Sequence, residues 1–468
     1  MTSVSSRRID RCACVIGLCA LLVGCITGPA GEALPAQAGS PAGELRIEDE
    51  KGQVVGRRAQ AVLLSLGRDA DQRRLLAGHL AQVEEVLEAP LVLGNDAHVL
   101  IDGPGTKEAM FRAIAGARHS IDLETYILEQ EGSGERLLEL LEERRARGVE
   151  VRVLYDSVGS LATPAAYFDR MRALGVSVCE FNPVNPLQLS RDSELSINNR
   201  DHRKILVVDG QVAFTGGINI SRVYSSGSFG RSAKPPDVQS GWRDTHVEVR
   251  GPVVARFQAL FDEGWSSQGC KPEMAPRTPQ PPERAGSMAM RLVAADPSNG
   301  RSELYVALLS ALEHASKRAW LTYGYFVPDE RIIEALTAAA RRGVDVRLAL
   351  PGFSDFWAPF HAGRSHYDTL LKAGVRVFER RDALLHAKTA VIDGVWSSVG
   401  STNLDWRSFV HNYEADVLVL DAGFAMEMEA LFARDESVSH EVTASDWKRR
   451  GFRLRLLEWI ARRWEYLL

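Results

Sequence analysis

A chain of 468 residues, 45% hydrophobic and 25% charged, has the make-up of a globular protein with room for two domains, each with its own core. With 61 acidic residues against 56 Lys and Arg, the formal net charge is −5, so there is no general electrostatic reason to expect nucleic acid as a partner.

The N-terminus reads as a targeting segment. Arg7, Arg8 and Arg11 precede a short apolar run from Cys12 to Val23. That run is too short, and too soon followed by Gly28-Pro29, for a membrane-spanning helix. Leu22-Val23-Gly24-Cys25 resembles the lipobox of bacterial lipoproteins, which implies residues 1–25 as a signal and Cys25 as the acylated first residue of the mature chain. Acyl chains on Cys25 would hold the protein at a membrane surface. Ile26 stands where an inner-membrane lipoprotein would carry Asp, so the expected address is bacterial, exported and periplasm-facing, with the outer membrane favoured. Of six cysteines, only Cys179 and Cys270 remain beyond Cys25, as a disulfide or as two buried thiols. Neither has metal-ligand company, so no metal site is expected.

Residues 26–92 read as a Gly, Ala and Pro-rich tether to about Ala42, then a charged lead-in with helical periodicity near Ala70 to Ala89. From residue 93 to 276 strands and helices alternate. Ser120 to Leu128, Val149 to Tyr155 and Val176 to Phe181 are strand-like; Lys107 to Arg118, Gly134 to Arg147 and Pro164 to Leu174 are helical. The Pro-rich stretch 277–285 is the natural linker. Residues 286–434 repeat the order: helix Ser302 to Ser316, strand Ala319 to Val327, helix Glu330 to Arg342, then strands Val344 to Leu350 and Val375 to Glu379 with a helix between. Arg147-Gly-Val-Glu-Val-Arg152 and Arg342-Gly-Val-Asp-Val-Arg347 are nearly the same words. The pattern predicts an α/β protein of two tandem repeats, each a mixed, mostly parallel sheet flanked by helices. Residues 435–468 are basic and amphipathic. They suit either an interfacial helix on an anionic membrane surface or a closing helix packed on the body with a solvated basic face.

The repeat carries chemistry. Asp201 to Ile220 contains His202-x-Lys204, Asp209, Gly216-Gly217 and Asn219; Leu385 to Leu404 contains His386, Lys388, Asp393, Gly400-Ser401 and Asn403 at the same spacing. Residues two apart on a strand share a face, so each copy presents an imidazole beside an ammonium, with an amide nearby. A lone copy would suit a structural role; two copies related by a pseudo-twofold axis would surround a tetrahedral phosphodiester with paired imidazoles, cations and amides.

The duplicated His-x-Lys-x₄-Asp pattern is similar to the phospholipase D superfamily. The words Arg200-Asp-His-Arg-Lys-Ile-Leu206, Trp242-Arg-Asp-Thr-His246, Tyr325-Phe-Val-Pro-Asp329 and Gly400-Ser-Thr-Asn-Leu-Asp-Trp-Arg-Ser408 resemble bacterial cardiolipin synthases. The resemblance implies His202, Lys204, Asp209, His386, Lys388 and Asp393 as the catalytic motif residues. His202 would be the nucleophile forming a phosphohistidine, and His386 the acid and then the base. Lys204, Lys388, Asn219 and Asn403 would hold phosphate oxygens. Asp209 and Asp393 suit tying the motif loop together. Asp244 is expected to orient His202 and Glu414 to orient His386, while Tyr126 and Tyr325 either line the substrate groove or are core aromatics. No cofactor or metal is implied. The expected reaction joins two phosphatidylglycerols into cardiolipin and glycerol; hydrolysis to phosphatidic acid, a phosphodiesterase or nuclease, and a non-catalytic lipid-binding module are the alternatives. The bacterial relatives usually carry N-terminal membrane spans where this chain has a lipoprotein-like signal.

Overall fold

The computed structural model describes residues 45–184, 198–228, 241–271, 282–463 and 465. The signal segment with Cys25, the tether and the Pro-rich stretch as far as residue 281 lie outside the described residues.

Each repeat is built on one sheet plan. In the first, β3 (Leu91–Ile101), β4 (Ser120–Thr125), β5 (Glu150–Asp156), β6 (Ser177–Phe181), β8 (Ile205–Val208), β9 (Val212–Gly216) and β10 (Thr245–Arg250) lie in the order 6-5-4-8-9-10-3. The βαβ alternation yields the parallel part, β4, β5 and β6, and the motif hairpin β8–β9 joins it antiparallel. The second repeat copies this with β13 (Arg318–Tyr323), β15 (Asp345–Pro351), β16 (Arg376–Arg380), β17 (Lys388–Ile392), β18 (Trp396–Gly400), β20 (Asn412–Leu420) and β11 (Met288–Asp296) in the order 16-15-13-17-18-20-11. The strand-like stretch 319–327 is interrupted at Gly324-Tyr325, which leaves a separate short strand, Phe326–Val327. Strands β3 and β11 pair antiparallel, so the two sheets meet at equivalent edges, and a core containing Val92, Ile205, Val247, Met290, Val391 and Val417 is shared by both.

The motif turns are sharp for a stated reason. Asp209-Gly210 and Asp393-Gly394 connect their hairpins with positive φ at all four residues (53°, 63°, 49° and 65°), the geometry an Asp-Gly pair accepts in a tight β-hairpin.

The lead-in is more structured than its periodicity suggested. A hairpin of β1 (Ile47–Asp49) and β2 (Gly52–Val54) and helix α1 (Gly56–Leu66) precede α2 (Ala70–Val83). Buried His79 of α2 accepts a hydrogen bond from Trp396 Nε1 (3.2 Å) and contacts Ser310 Oγ (3.2 Å), which docks this helix on the second repeat. Cys179 and Cys270 form a disulfide with Cα atoms 5.7 Å apart, beside buried Phe181, Phe261 and Trp265. It joins β6 to the end of α6 (Val254–Ser267), counting α3 (Asp102–Gly116), α4 (Ser133–Ala146) and α5 (Ala165–Ala173) before it. At the C-terminus the last helix, Phe452–Arg462, packs against the helix Trp357–Arg364, so the basic tail does close on the body.

Candidate active site

Two short backbone links between the repeats set the geometry. Arg200–Asp201 pairs parallel with Asn412–Tyr413, and His202 N–H donates to the Tyr413 carbonyl at 2.9 Å. In the mirror position Arg243 bridges Leu385, and His386 N–H donates to the Arg243 carbonyl at 2.8 Å. Each histidine is thereby fixed beside the residue that precedes the opposite repeat's carboxylate.

The consequence corrects the expected pairing. His202 Nδ1 lies 2.9 and 3.0 Å from the Glu414 carboxylate, and His386 Nδ1 lies 2.7 Å from Asp244 Oδ2. Glu414 therefore serves His202 and Asp244 serves His386, the reverse of an assignment within each repeat. With Nδ1 engaged, Nε2 is the nitrogen each ring has left for chemistry. Both histidines line one cavity of about 510 Å³, together with Asn219, Asn403, Tyr126 and Tyr325. The Tyr126 and Tyr325 rings stand edge-on to His202 and His386, with centroids 5.1 and 5.8 Å away, so these tyrosines are groove residues as well as strand-end aromatics.

The lysines are placed differently from a simple reading of the motif. Lys204 and Lys388 are buried and do not line the cavity. Each ammonium donates to the carbonyl of its own motif histidine, His202 and His386 respectively. Burial pulls Lys204 down to about 7 and Lys388 to about 8, against the opposing pull of Glu414 and Asp244.

Asp209 and Asp393 do not belong with the reacting groups. Asp209 accepts backbone N–H bonds from Arg118, His119 and Ser120, and Asp393 from Ser316, Lys317 and Arg318. Their carboxylates are consumed in anchoring the turn to the start of the neighbouring strand, and neither lines the cavity.

The glycines make room for carboxylates. A Cβ on Gly217 would stand 2.2 Å from Asp244 Oδ1, and one on Gly400 1.9 Å from Asp416 Oδ1. Ser401, where the first copy has Gly217, is a gain: its hydroxyl donates to Glu414 Oε2 at 2.6 Å. On the other side Tyr224 Oη lies 3.0 Å from His386 Nδ1 and donates to the Gly217 carbonyl.

The two histidines are electrostatically unequal. Burial, then the charges of Lys204 and Lys388, hold His202 well below its ordinary value. His386 is also lowered, first by burial and then by Lys388, but Asp244 opposes the fall. Burial would raise Asp244; the contact with His386, joined by the Lys388 charge and the Thr245 N–H, leaves the carboxylate below its usual value. Burial lifts Glu414 to about 7, with Lys204 opposing. His202 is thus the imidazole more readily neutral, and His386 the one beside a firm anion.

Several lining residues had no role in the sequence reading. Arg200, Trp242, Asp405 and Arg407 sit inside the quoted motif words, so their positions were marked but their contacts were not. Trp242 lies against His386 with ring centroids 5.1 Å apart. Tyr224 and Asp355, which accepts from Tyr325 Oη at 2.8 Å, carried no motif signal.

The same chain resembles known proteins over most of its length. The family described as "Cardiolipin synthase, PLD-like domain" matches residues 110–228 and 308–436. Cardiolipin synthase A of Pseudomonas aeruginosa is 37% identical over 369 residues, 78% of this chain and 72% of the relative. Cardiolipin synthase of Geobacillus thermodenitrificans is 35% identical over 397 residues, 84% and 75% of the two chains. The crystal structure of phosphatidylserine synthase from Haemophilus influenzae shares the fold, with TM-score 0.61 and 13% identity over 86% of this chain and 100% of that one. Two copies of the motif, folded into one cavity and matched by the family over both repeats, make this chain a member of the cardiolipin synthase, phospholipase D-like family and an enzyme of the phospholipase D phosphatidyltransferase type.

Proposed function

We propose that the enzyme transfers a phosphatidyl group from one phosphatidylglycerol to a second, giving cardiolipin and glycerol. The observation that carries this is the pair of histidines facing one cavity, each with Nδ1 held by a carboxylate of the other repeat. His202 Nε2 attacks phosphorus and the bond to the headgroup glycerol oxygen breaks. That oxygen takes a proton from His386 Nε2 and leaves as glycerol. A hydroxyl of the second phosphatidylglycerol then returns a proton to His386 and attacks phosphorus, and the His202–phosphorus bond breaks. Glu414 stabilises the positive charge on the phosphorylated His202 ring.

Asn219 accepts from Ile127 N–H through Oδ1 (3.1 Å), and its NH₂, which also meets the Tyr224 hydroxyl, has a second N–H for a phosphate oxygen. Lys204 and Lys388 supply positive charge from beneath. The lipid is presented at a membrane surface, where acylation of Cys25 holds the exported chain; among the described residues no helix is long and apolar enough to cross a membrane. Incubating the purified enzyme with phosphatidylglycerol vesicles tests the reading. Cardiolipin and glycerol in equal amounts are expected, whereas phosphatidic acid as the main lipid product would make the enzyme a hydrolase.

A further inference from the structure

The C-terminal helix is apolar on the side that faces away from the protein. Label it α14, with α9 for Trp357–Arg364, after α7 (Glu303–His314), α8 (Glu330–Arg341) and, between α9 and α14, α10 to α13 (Tyr367–Ala373, Trp406–Val410, Ala422–Ser437, Ala444–Lys448). Its inner face is defined by Ala461, clustered with Val327 and Ala362, and by buried Glu458, ion-paired to Arg450 at 2.9 Å. Phe452, Leu456 and Trp459 follow at i, i+4 and i+7, which gathers them into one stripe on the opposite side. They are 77%, 43% and 58% exposed. A helix that only closed the fold would turn polar residues outward.

The charges flank that stripe. On a helical projection Arg455 and Arg462 border it on one side and Arg453 on the other, and the Arg463 guanidinium lies 5.2 Å above the Trp459 ring. The one acidic residue of α14, Glu458, is turned inward and neutralised. The surface that fits is apolar within and anionic at its boundary. A bilayer of anionic phospholipid has both properties by constitution.

The helix is also coupled to the cavity. It packs on α9, whose first residue, Trp357, is exposed, and the preceding Phe356 is both exposed and part of the cavity lining. Val158 lines the same cavity and is exposed as well.

We propose that α14, together with the Phe356–Trp357 edge, docks the mouth of the active site on a bilayer surface containing anionic phospholipid. The choice of lipid as occupant rests on the function proposed above. The test uses the full chain with a bimane fluorophore on Leu456→Cys, reconstituted with vesicles carrying brominated lipid, alongside the triple variant Phe452→Ser, Leu456→Ser, Trp459→Ser. Bimane is expected to be quenched in phosphatidylglycerol–phosphatidylcholine vesicles and much less in phosphatidylcholine alone. The triple variant should lose about tenfold or more of its turnover on vesicle phosphatidylglycerol, while turnover of dispersed short-chain phosphatidylglycerol is unchanged, since the three side chains lie outside the cavity. Absence of quenching would overturn the proposal, as would full vesicle turnover by the triple variant. A bimane signal that follows protein concentration and ignores lipid would overturn it too, by showing a second copy on this face. If the parent turned over neither substrate, the transferase reading would fail, and the quenching would still decide the docking.

Discussion

At the scale of single residues, the site works by crossing: Glu414 from the second repeat governs His202, and Asp244 from the first governs His386. The crossing is testable with a p-nitrophenyl phosphodiester of a phosphatidyl group, whose leaving group needs no proton. On the proposed mechanism Asp244→Asn impairs the acid–base histidine, so it should retain the burst of p-nitrophenol. On the same mechanism Glu414→Gln impairs the proposed nucleophile, so it should lose roughly 10²- to 10⁴-fold in burst rate. The opposite pattern would mean that each carboxylate serves its own repeat. Gly217→Ala would push its methyl into Asp244, and should mimic Asp244→Asn while leaving the burst intact.

The lysines give a pH dependence with a definite sign. Lys204 at about 7 and Lys388 at about 8 are cationic below those values and lose charge as pH rises through them. A phosphodiester anion binds the charged forms better, so KM for the lipid should climb from about pH 7 and continue through pH 8, with kcat changing less. A KM flat to pH 10 would show that the charge of the lysines does not act on the bound phosphate. None of this polarity could be read from the chain alone. His-x-Lys at strand spacing announced a shared face, but the order of residues along one repeat does not say which strand of the other repeat will lie beside it. The link from His202 N–H to the Tyr413 carbonyl decides the pairing, and it joins residues 211 positions apart. Ser401, a departure from the first copy's glycine, likewise gained meaning only when Glu414 was found 2.6 Å from its hydroxyl.

Among the elements, those with a local cause were legible. The helices near 134–147 and 330–342 end at glycines with left-handed φ, 82° at Gly148 and 94° at Gly343, where the sequence marked them. The hairpin β1–β2 and helix α1 were missed: each strand is three residues long, and α1 buries no residue. Strand β3 was not read from the sequence, where Gly94-Asn95 interrupts its apolar run. Yet Asn95, fully buried, donates to the Val92 carbonyl and accepts from Val253 N–H, which holds a strand irregularity together. The sequence left open whether Cys179 and Cys270 were joined, and the disulfide closes a separation of 91 residues. Replacing both by Ser should cost about 2–4 kcal/mol of stability, seen as an equal loss in wild-type protein unfolded under reducing conditions. A variant as stable as the parent would show that packing of Phe261 and Trp265 alone holds β6 to α6.

For the molecule as a whole, duplication is the device that builds the site. One repeat supplies a histidine without its orienting carboxylate, and only the second completes it. The repeats share a core and lock through Arg243, whose guanidinium takes both oxygens of buried Asp435 at 2.7 and 2.8 Å. The most direct test of this arrangement is to quench the enzyme in alkali during turnover of phosphatidylglycerol labelled at phosphorus, and to map the label. Labelled phosphohistidine is expected at His202, still formed with an activated donor in His386→Ala and absent in His202→Ala. Label on His386, or turnover with no labelled histidine, would contradict it.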